Sequence, residues 1–337
     1  MNPNWHSFLE STEAHFDEAA QEVLHFGDAK ADLLAASGQT ILAPLTHLSG
    51  VKVSGEDAKS FLHSQFTSDI NHLAEGQMQH AAWCSAKGRM QASFLVWRNK
   101  AEFSLILASD LREAIQKRLQ MFVLRAKVKL TAADEYVLLG LAGQQAEEAL
   151  TDAGLPIPAE IPGTACCENG QVIRLDPQRY LLEVPLSAVA GLWQKLSNKA
   201  RPVGLPAWRW LDIQAGFPLV TLATKEEFVP QMADFEKIGG VSFHKGCYPG
   251  QEIVARTQYL GKVKRHLFRV KSLVEIKAGD VLHSPGNPDQ ACGMVMTAAS
   301  SPEGGFAGLA VIQSNFAEDI HLGKIDGPAL QAEAVNP

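Results

Sequence analysis

Eight consecutive residues, Lys245-Gly246-Cys247-Tyr248-Pro249-Gly250-Gln251-Glu252, hold the densest chemistry in the sequence. A lysine stands two places before a cysteine, and a proline–glycine pair follows. Gln251 to Gln258 has helix-compatible composition, Pro249-Gly250 suits the turn leading into it, and Gly261 suits its end. Cys247 is therefore expected just ahead of a helix N-terminus and beside Lys245, two surroundings that favour a thiolate. Gly246 and Gly250 would let the backbone approach a ligand closely. The same string also fits a buried structural cysteine at a tight turn, since free cysteine is commonly buried.

The charge around this string sets it apart. The 337-residue chain has a formal net charge of −7. Residues 1–39 carry seven acids and one base, whereas residues 245–271 carry seven bases and one acid. A local charge of that sign suits an anionic ligand that the whole-chain value would argue against. The basic run Lys262-Val263-Lys264-Arg265-His266 fits a solvated face, an anionic ligand or RNA phosphates. No RNA-binding motif accompanies it, so direct tRNA contact is not expected.

Other chemistries find little support. The five cysteines, Cys84, Cys166, Cys167, Cys247 and Cys292, form no CxxC, disulfide framework or four-cysteine cluster set. The histidines show no HExxH pattern, so no metal site is expected, and GxGxxG and P-loop strings are missing. No apolar run approaches a membrane span, and the N-terminal residues are acidic and lack a signal-like core. A cytoplasmic protein without membrane contact is expected.

The elements that must position the motif follow from periodicity. Residues 5–36 read as helical, through Phe8, Leu9, Phe16, Ala20, Val23, Leu24, Leu33 and Leu34, with a break at Gly27. Leu48–Ser54, His80–Trp83, Ala92–Trp97 and Val128–Thr131 read as strands, and Leu111–Val123 as a helix. Cys84-Ser85-Ala86-Lys87-Gly88-Arg89 reads as a turn between two of the strands. Tyr136–Ala142 and Arg179–Val184 read as strands, followed by helices near 144–153 and 186–196. Beyond Val263 the texture changes to short strands with Gly/Pro turns, as in a small β-barrel. An α+β chain with a C-terminal barrel results.

The string Lys-Gly-Cys-Tyr-x-Gly-Gln-Glu resembles the signature of YgfZ-type folate-binding proteins, relatives of the glycine-cleavage T-protein. Four more stretches are similar in the same order: Gln65-Phe66-Thr67-Ser68-Asp69, Ala86-Lys87-Gly88-Arg89, Ala215-Gly216-Phe217-Pro218 and Phe228-Val229-Pro230-Gln231. The resemblance covers residues 44 to 312. It implies a T-protein-like ring of two ferredoxin-like α/β domains plus a C-terminal β-barrel, here with an N-terminal helical appendage. The expected divisions are an acidic helical segment at 1–39, a first α/β folate-binding domain at 40–132 and a second α/β domain at 133–225. A signature segment at 226–262 returns to the folate-binding core, and the barrel occupies 263–330.

The resemblance further implies tetrahydrofolate or a derivative, with or without a polyglutamate tail, and a role in iron–sulfur cluster assembly or repair. Partners would be iron–sulfur enzymes, tRNA-modifying ones included, or their assembly proteins. Cys247 takes the place of the signature cysteine and Lys245 that of the signature lysine. The implied folate-binding set is Trp208, Gln214, Tyr248, Gly250, Gln251, Glu252, Arg256 and Arg265, the last within the basic run that would meet a folate's glutamate tail. Gln214 stands where the T-protein has a carboxylate. The T-protein's catalytic aspartate belongs in the turn Cys84–Arg89, which here holds no acid, so the chain is not expected to be an aminomethyltransferase. A folate-dependent one-carbon transferase is the alternative function. The role of Cys247 stays open between ligation, redox and nucleophilic chemistry.

Overall fold

In Arg179–Pro185 the side chains of Tyr180, Leu182 and Val184 alternate with those of Leu181 and Glu183, a strand's period of two. The computed structural model describes residues 2–17, 19, 21–100, 102–259, 261 and 263–335. In it this strand pairs antiparallel with Tyr136–Ala142 along its whole length. Tyr136–Ala142 pairs onward with Ile41–Pro44, while Gly170–Asp176 and Gly163–Cys167 extend the other side. Arg201–Pro202 adds a short parallel edge to complete six strands.

One face of that sheet carries the larger apolar core. Leu139, Leu141, Tyr180, Leu182 and Val184 bury against Leu150, Leu192, Trp193 and Leu196 of the helices Ala146–Asp152 and Val189–Leu196. Trp5 and Leu9 join the same cluster. Trp5 meets Trp193 edge-on with ring centres 5.9 Å apart, a favoured aromatic geometry.

The N-terminal stretch departs from the helical expectation over 5–36. Helices form at Pro3–Ser11 and Ala29–Ala36, but Ala14–Asp17 and Glu22–Phe26 make an antiparallel hairpin between them. The first helix stops where Ser11 and Thr12 turn their hydroxyls back onto the carbonyls of Phe8 and Leu9. Glu13 then takes φ 66°, which no helix continues. Ala20, part of the expected pattern, lies outside the described residues.

A second antiparallel sheet centres on Leu48–Ser54, flanked by Glu102–Ala108 and Lys129–Ala132. Leu95–Asn99 pairs with Glu102–Ile106. The helix Ser109–Val123 presents Leu111, Ile115, Leu119 and Val123 at every fourth position as one buried stripe over this sheet. Lys52 Nζ reaches Ser104 Oγ at 2.8 Å and Glu183 at 2.7 Å, tying a strand of each sheet together.

These elements belong to one compact unit, Met1–Ala58, Leu73–Gln79 and Leu95–Trp208. A second unit comprises Lys59–His72, His80–Phe94 and Arg209–Pro337. The residues expected as a first domain, 40–132, are thus shared between the units, while 263–335 belongs wholly to the second. There Arg265–Ser272, Phe306–Gln313, Gly293–Ser300, Val281–His283, Ile320–Leu322 and Ala329–Ala334 close into a six-stranded barrel. Val270, Leu282, Val295, Ala310 and Ile312 fill it. Among the described residues no helix is long and apolar enough to cross a membrane.

Candidate functional site

All five motif segments belong to the second unit, and backbone contacts hold them together. Thr67 donates its hydroxyl to Gly240 O at 2.6 Å and accepts from Ala82 N at 2.9 Å. The segment Gln65–Asp69 is thereby tied both to the strand Met78–Cys84 and to the chain entering the signature. Phe217 sets its ring 5.6 Å from that of His80, on the same strand. Met90 N donates to Phe228 O, and Arg89 donates to the carbonyls of Glu226 and Glu227. Gln231 is fully buried and donates to Val254 O at 2.7 Å, inside the helix Gln251–Tyr259.

The closest approach is between glycines. Gly88 and Gly250 adopt φ 71° and 78°, a region costly for other residues. A Cβ on Gly250 would fall 2.3 Å from Ser85 O and 2.7 Å from Gly88 Cα. One on Gly88 would fall 2.9 Å from Ile253 Cβ. The turn Ser85–Arg89 therefore docks on the turn Pro249-Gly250 with no room for a side chain between them.

Lys245 points inward. It is 9% exposed, and its ammonium donates to the carbonyls of His63 and Phe66. Its Nζ also lies 4.8 Å from the centre of the Tyr248 ring, within cation–π range. Burial pushes its pKa down to about 8, with charges at Asp69 and Cys247 pulling the other way. Tyr248 is buried, which drives its phenol well above the ordinary range. Cys247, in contrast, is exposed, while Cys84 and Cys292 are buried and burial pushes Cys84 up to about 12. The buried-structural reading of Cys247 is thus set aside: the lysine is inside and the thiol is out.

Two residues that sequence spacing left without a role sit beside this turn. His63 Nδ1 faces Asp69 Oδ1 at 3.3 Å, too poorly aligned for a hydrogen bond, and His72 Nδ1 meets the other carboxylate oxygen at 2.8 Å. Burial, then the charge of Lys245, holds His63 below the usual imidazole range, against the pull of Asp69. No short-range pattern could have linked His63 to Cys247, because only the fold brings their segments together.

The remaining expected residues are spread more widely. Gln251 is half-buried, and Glu252 and Arg256 are exposed on the signature helix. Arg265 starts a barrel strand and donates to Ala291 O at 3.3 Å. Within the basic run His266 meets Asp234 at 2.7 Å, Lys264 is exposed and Lys262 lies outside the described residues. Gln214 is exposed at the end of the helix Leu205–Gln214. Trp208 belongs to the first unit and is 1% exposed; its indole lies where a Cβ on Gly140 would be 2.5 Å away.

A chain with a six-stranded sheet, a second antiparallel sheet, a closed barrel and this array of turns falls in the T-protein fold class. It superposes on the glycine cleavage system aminomethyltransferase T of Bartonella henselae with a TM-score of 0.77 at 19% identity, covering 99% of this chain and 96% of that one. Residues 6–156 match the GCVT N-terminal domain family. Proteins named tRNA-modifying protein YgfZ share more of the sequence. That of Klebsiella pneumoniae is 31% identical over 240 residues, spanning 68% of this chain and 73% of its own. That of Colwellia psychrerythraea is 32% identical over 244 residues, spanning 72% and 75%. The chain belongs to the YgfZ family.

Proposed function

We propose that this protein binds tetrahydrofolate or a derivative and supports iron–sulfur enzymes, tRNA-modifying ones included, with Cys247 as its reactive thiol. The relatives' name, tRNA-modifying protein YgfZ, supports the link to tRNA modification. The match to the GCVT N-terminal domain supports the folate scaffold. The observation that carries the thiol is the contrast between Lys245 and Cys247. The lysine is drawn inside to fix residues 63–66, and the cysteine two places on is left exposed ahead of a helix.

The second unit fits a pterin by its acceptors. Gln65, Gln91 and Gln231 are buried, and each leaves its amide oxygen without a partner among the described residues. A pterin offers several N–H groups, and unpaired buried acceptors are costly. Bound folate would supply a carrier for a one-carbon unit. Gln214, Tyr248, Gly250, Gln251, Glu252 and Arg256 are the proposed contacts in this unit, with Arg265 and Lys264 facing a glutamate tail. Trp208, buried in the first unit, is tested separately. Aminomethyl transfer is not proposed, because the turn Cys84–Arg89 contains no acid.

The test is complementation of a strain lacking the protein, read as iron–sulfur-dependent tRNA modification. Cys247→Ser is expected to fail while still binding tetrahydrofolate in calorimetry. Full restoration by Cys247→Ser would remove the reactive thiol from the proposal. Wild type that binds no folate, with or without a polyglutamate tail, would remove the folate. Unaltered binding by Trp208→Ala would remove that residue from the folate contacts.

A further inference from the structure

An imidazole and a carboxylate lie beside the signature turn. His63 belongs to the helix Ala58–Gln65, and Asp69 to the chain that follows it. The Asp69 carboxylate faces His63 Nδ1 at 3.3 Å and so leaves Nε2 to the other side of the ring. That Nε2 lies 3.7 Å from the place a Cβ on Gly246 would take, an ordinary van der Waals distance. Chain neighbours apart, no other heavy atom of the described residues comes within 4 Å of that place. Gly246 has no left-handed φ, so glycine supplies space here and not a special conformation. The space opens between Nε2 and the backbone that carries Cys247. The main chain of His63 is fastened to the same turn, because its carbonyl accepts from Lys245. Lys245 in turn senses charge on Cys247. Imidazole and ammonium thus both adjoin the turn that carries the thiol.

The geometry points to His63, backed by Asp69, as the group that takes the Cys247 thiol proton when the sulfur attacks an electrophile, an inference that rests on reading Cys247 as a reactive thiol. Nδ1 faces Asp69 without an aligned hydrogen bond, and Nε2 borders the space left by Gly246. The charged and titratable groups that act on it are Lys245, Asp69 and, beyond that carboxylate, His72. Burial and Lys245 keep the ring neutral near neutral pH, the state a proton acceptor needs. In alkylation by iodoacetamide the sulfur–carbon bond forms and iodide leaves with its electron pair. The thiol proton passes to Nε2 and from there to solvent.

The experiment is iodoacetamide labelling of the full chain at pH 5 to 9, with site-resolved mass spectrometry reporting Cys247 separately from Cys166 and Cys167. In wild type the rate constant is expected to climb through a limb on the acid side of the usual imidazole range, where His63 loses its proton. His63→Gln is expected to lose that limb and to slow labelling at pH 7 by about tenfold or more. Gly246→Ala provides a second variant, since its methyl fits at 3.7 Å from Nε2 and screens it. It too is expected to slow labelling while its circular dichroism stays native. Unchanged rates and profiles in both variants would overturn the role of His63, whatever Cys247→Ser does in cells. Slowed labelling together with full complementation by Cys247→Ser would leave His63 in place and remove the cellular role of the thiol.

Discussion

A buried ammonium that donates to two backbone carbonyls works as a clasp, and among the described residues no carboxylate lies within ion-pair distance of Lys245 to offset its burial. Its pKa falls from 10.5 to about 8, so its protonation is linked to folding. Between those values the unfolded chain holds a proton that the folded chain has released. Stability therefore rises with pH across that window, and below it the cost of burying the charge is present in full. Urea denaturation of wild type and Lys245→Met from pH 7 to 10.5 tests this. The stability of wild type relative to the variant is expected to grow by up to about 3 kcal/mol. A constant difference would mean that the ammonium is not held as described. The residue scale is also where sequence reading reached least far. Lys245 and Cys247 were legible as a pair, but nothing in their spacing told which would be buried.

At the scale of elements, Lys52 and Glu183 join a strand of each sheet in the first unit. Glu183 is 3% exposed, and burial holds its carboxyl above the usual range even with Lys52 at 2.7 Å. Lys52→Met leaves that carboxylate without its counter-charge and is expected to cost about 3–5 kcal/mol. The deficit should be smaller at acid pH, because the folded state then keeps the proton that the unfolded state loses first. Lys52→Met/Glu183→Leu is expected to recover most of the loss in thermal melts. A double variant no better than the single one would show that packing, not charge, dominates. Elements of this kind were legible where one face repeats. The helix Ser109–Val123 follows from its stripe of Leu111, Ile115, Leu119 and Val123, the strand near 48 from alternation, and those near 136 and 179 from short apolar runs. The hairpin Ala14–Phe26 was not legible, because Phe16 and Val23 fit both a helical period and a cross-strand pair.

At the scale of the molecule, the five motifs were visible as an ordered series, but their assembly into one unit was not. Thr67 with Gly240, Gly88 with Gly250 and Gln231 with Val254 are long-range pairings that leave no local signature. Neither unit is a single stretch of chain. A fragment ending at Trp208 would keep Lys59–His72 and His80–Phe94 but lose the carbonyl, ammonium and glycine partners those segments use. It is expected to be less protected than the same residues in the full chain, with rapid amide exchange over 59–72 and 80–94. Native-level protection there would show that these segments are held within the N-terminal portion alone.

Interleaving of this kind orders events during synthesis. Residues 59–94 leave the ribosome before the 114 residues from Leu95 to Trp208, and only afterwards does Lys245 emerge. At ribosomal speeds the carbonyls of His63 and Phe66 wait on the order of ten seconds for their ammonium. Through that interval Thr67 lacks its Gly240 acceptor and the glycine turn at Gly88 lacks Gly250, and the nascent chain offers open backbone to any chaperone or neighbour within reach. The segment that brings the ammonium also carries the thiol, so Cys247 reaches the neighbourhood of His63 only after every residue of the first unit has been made.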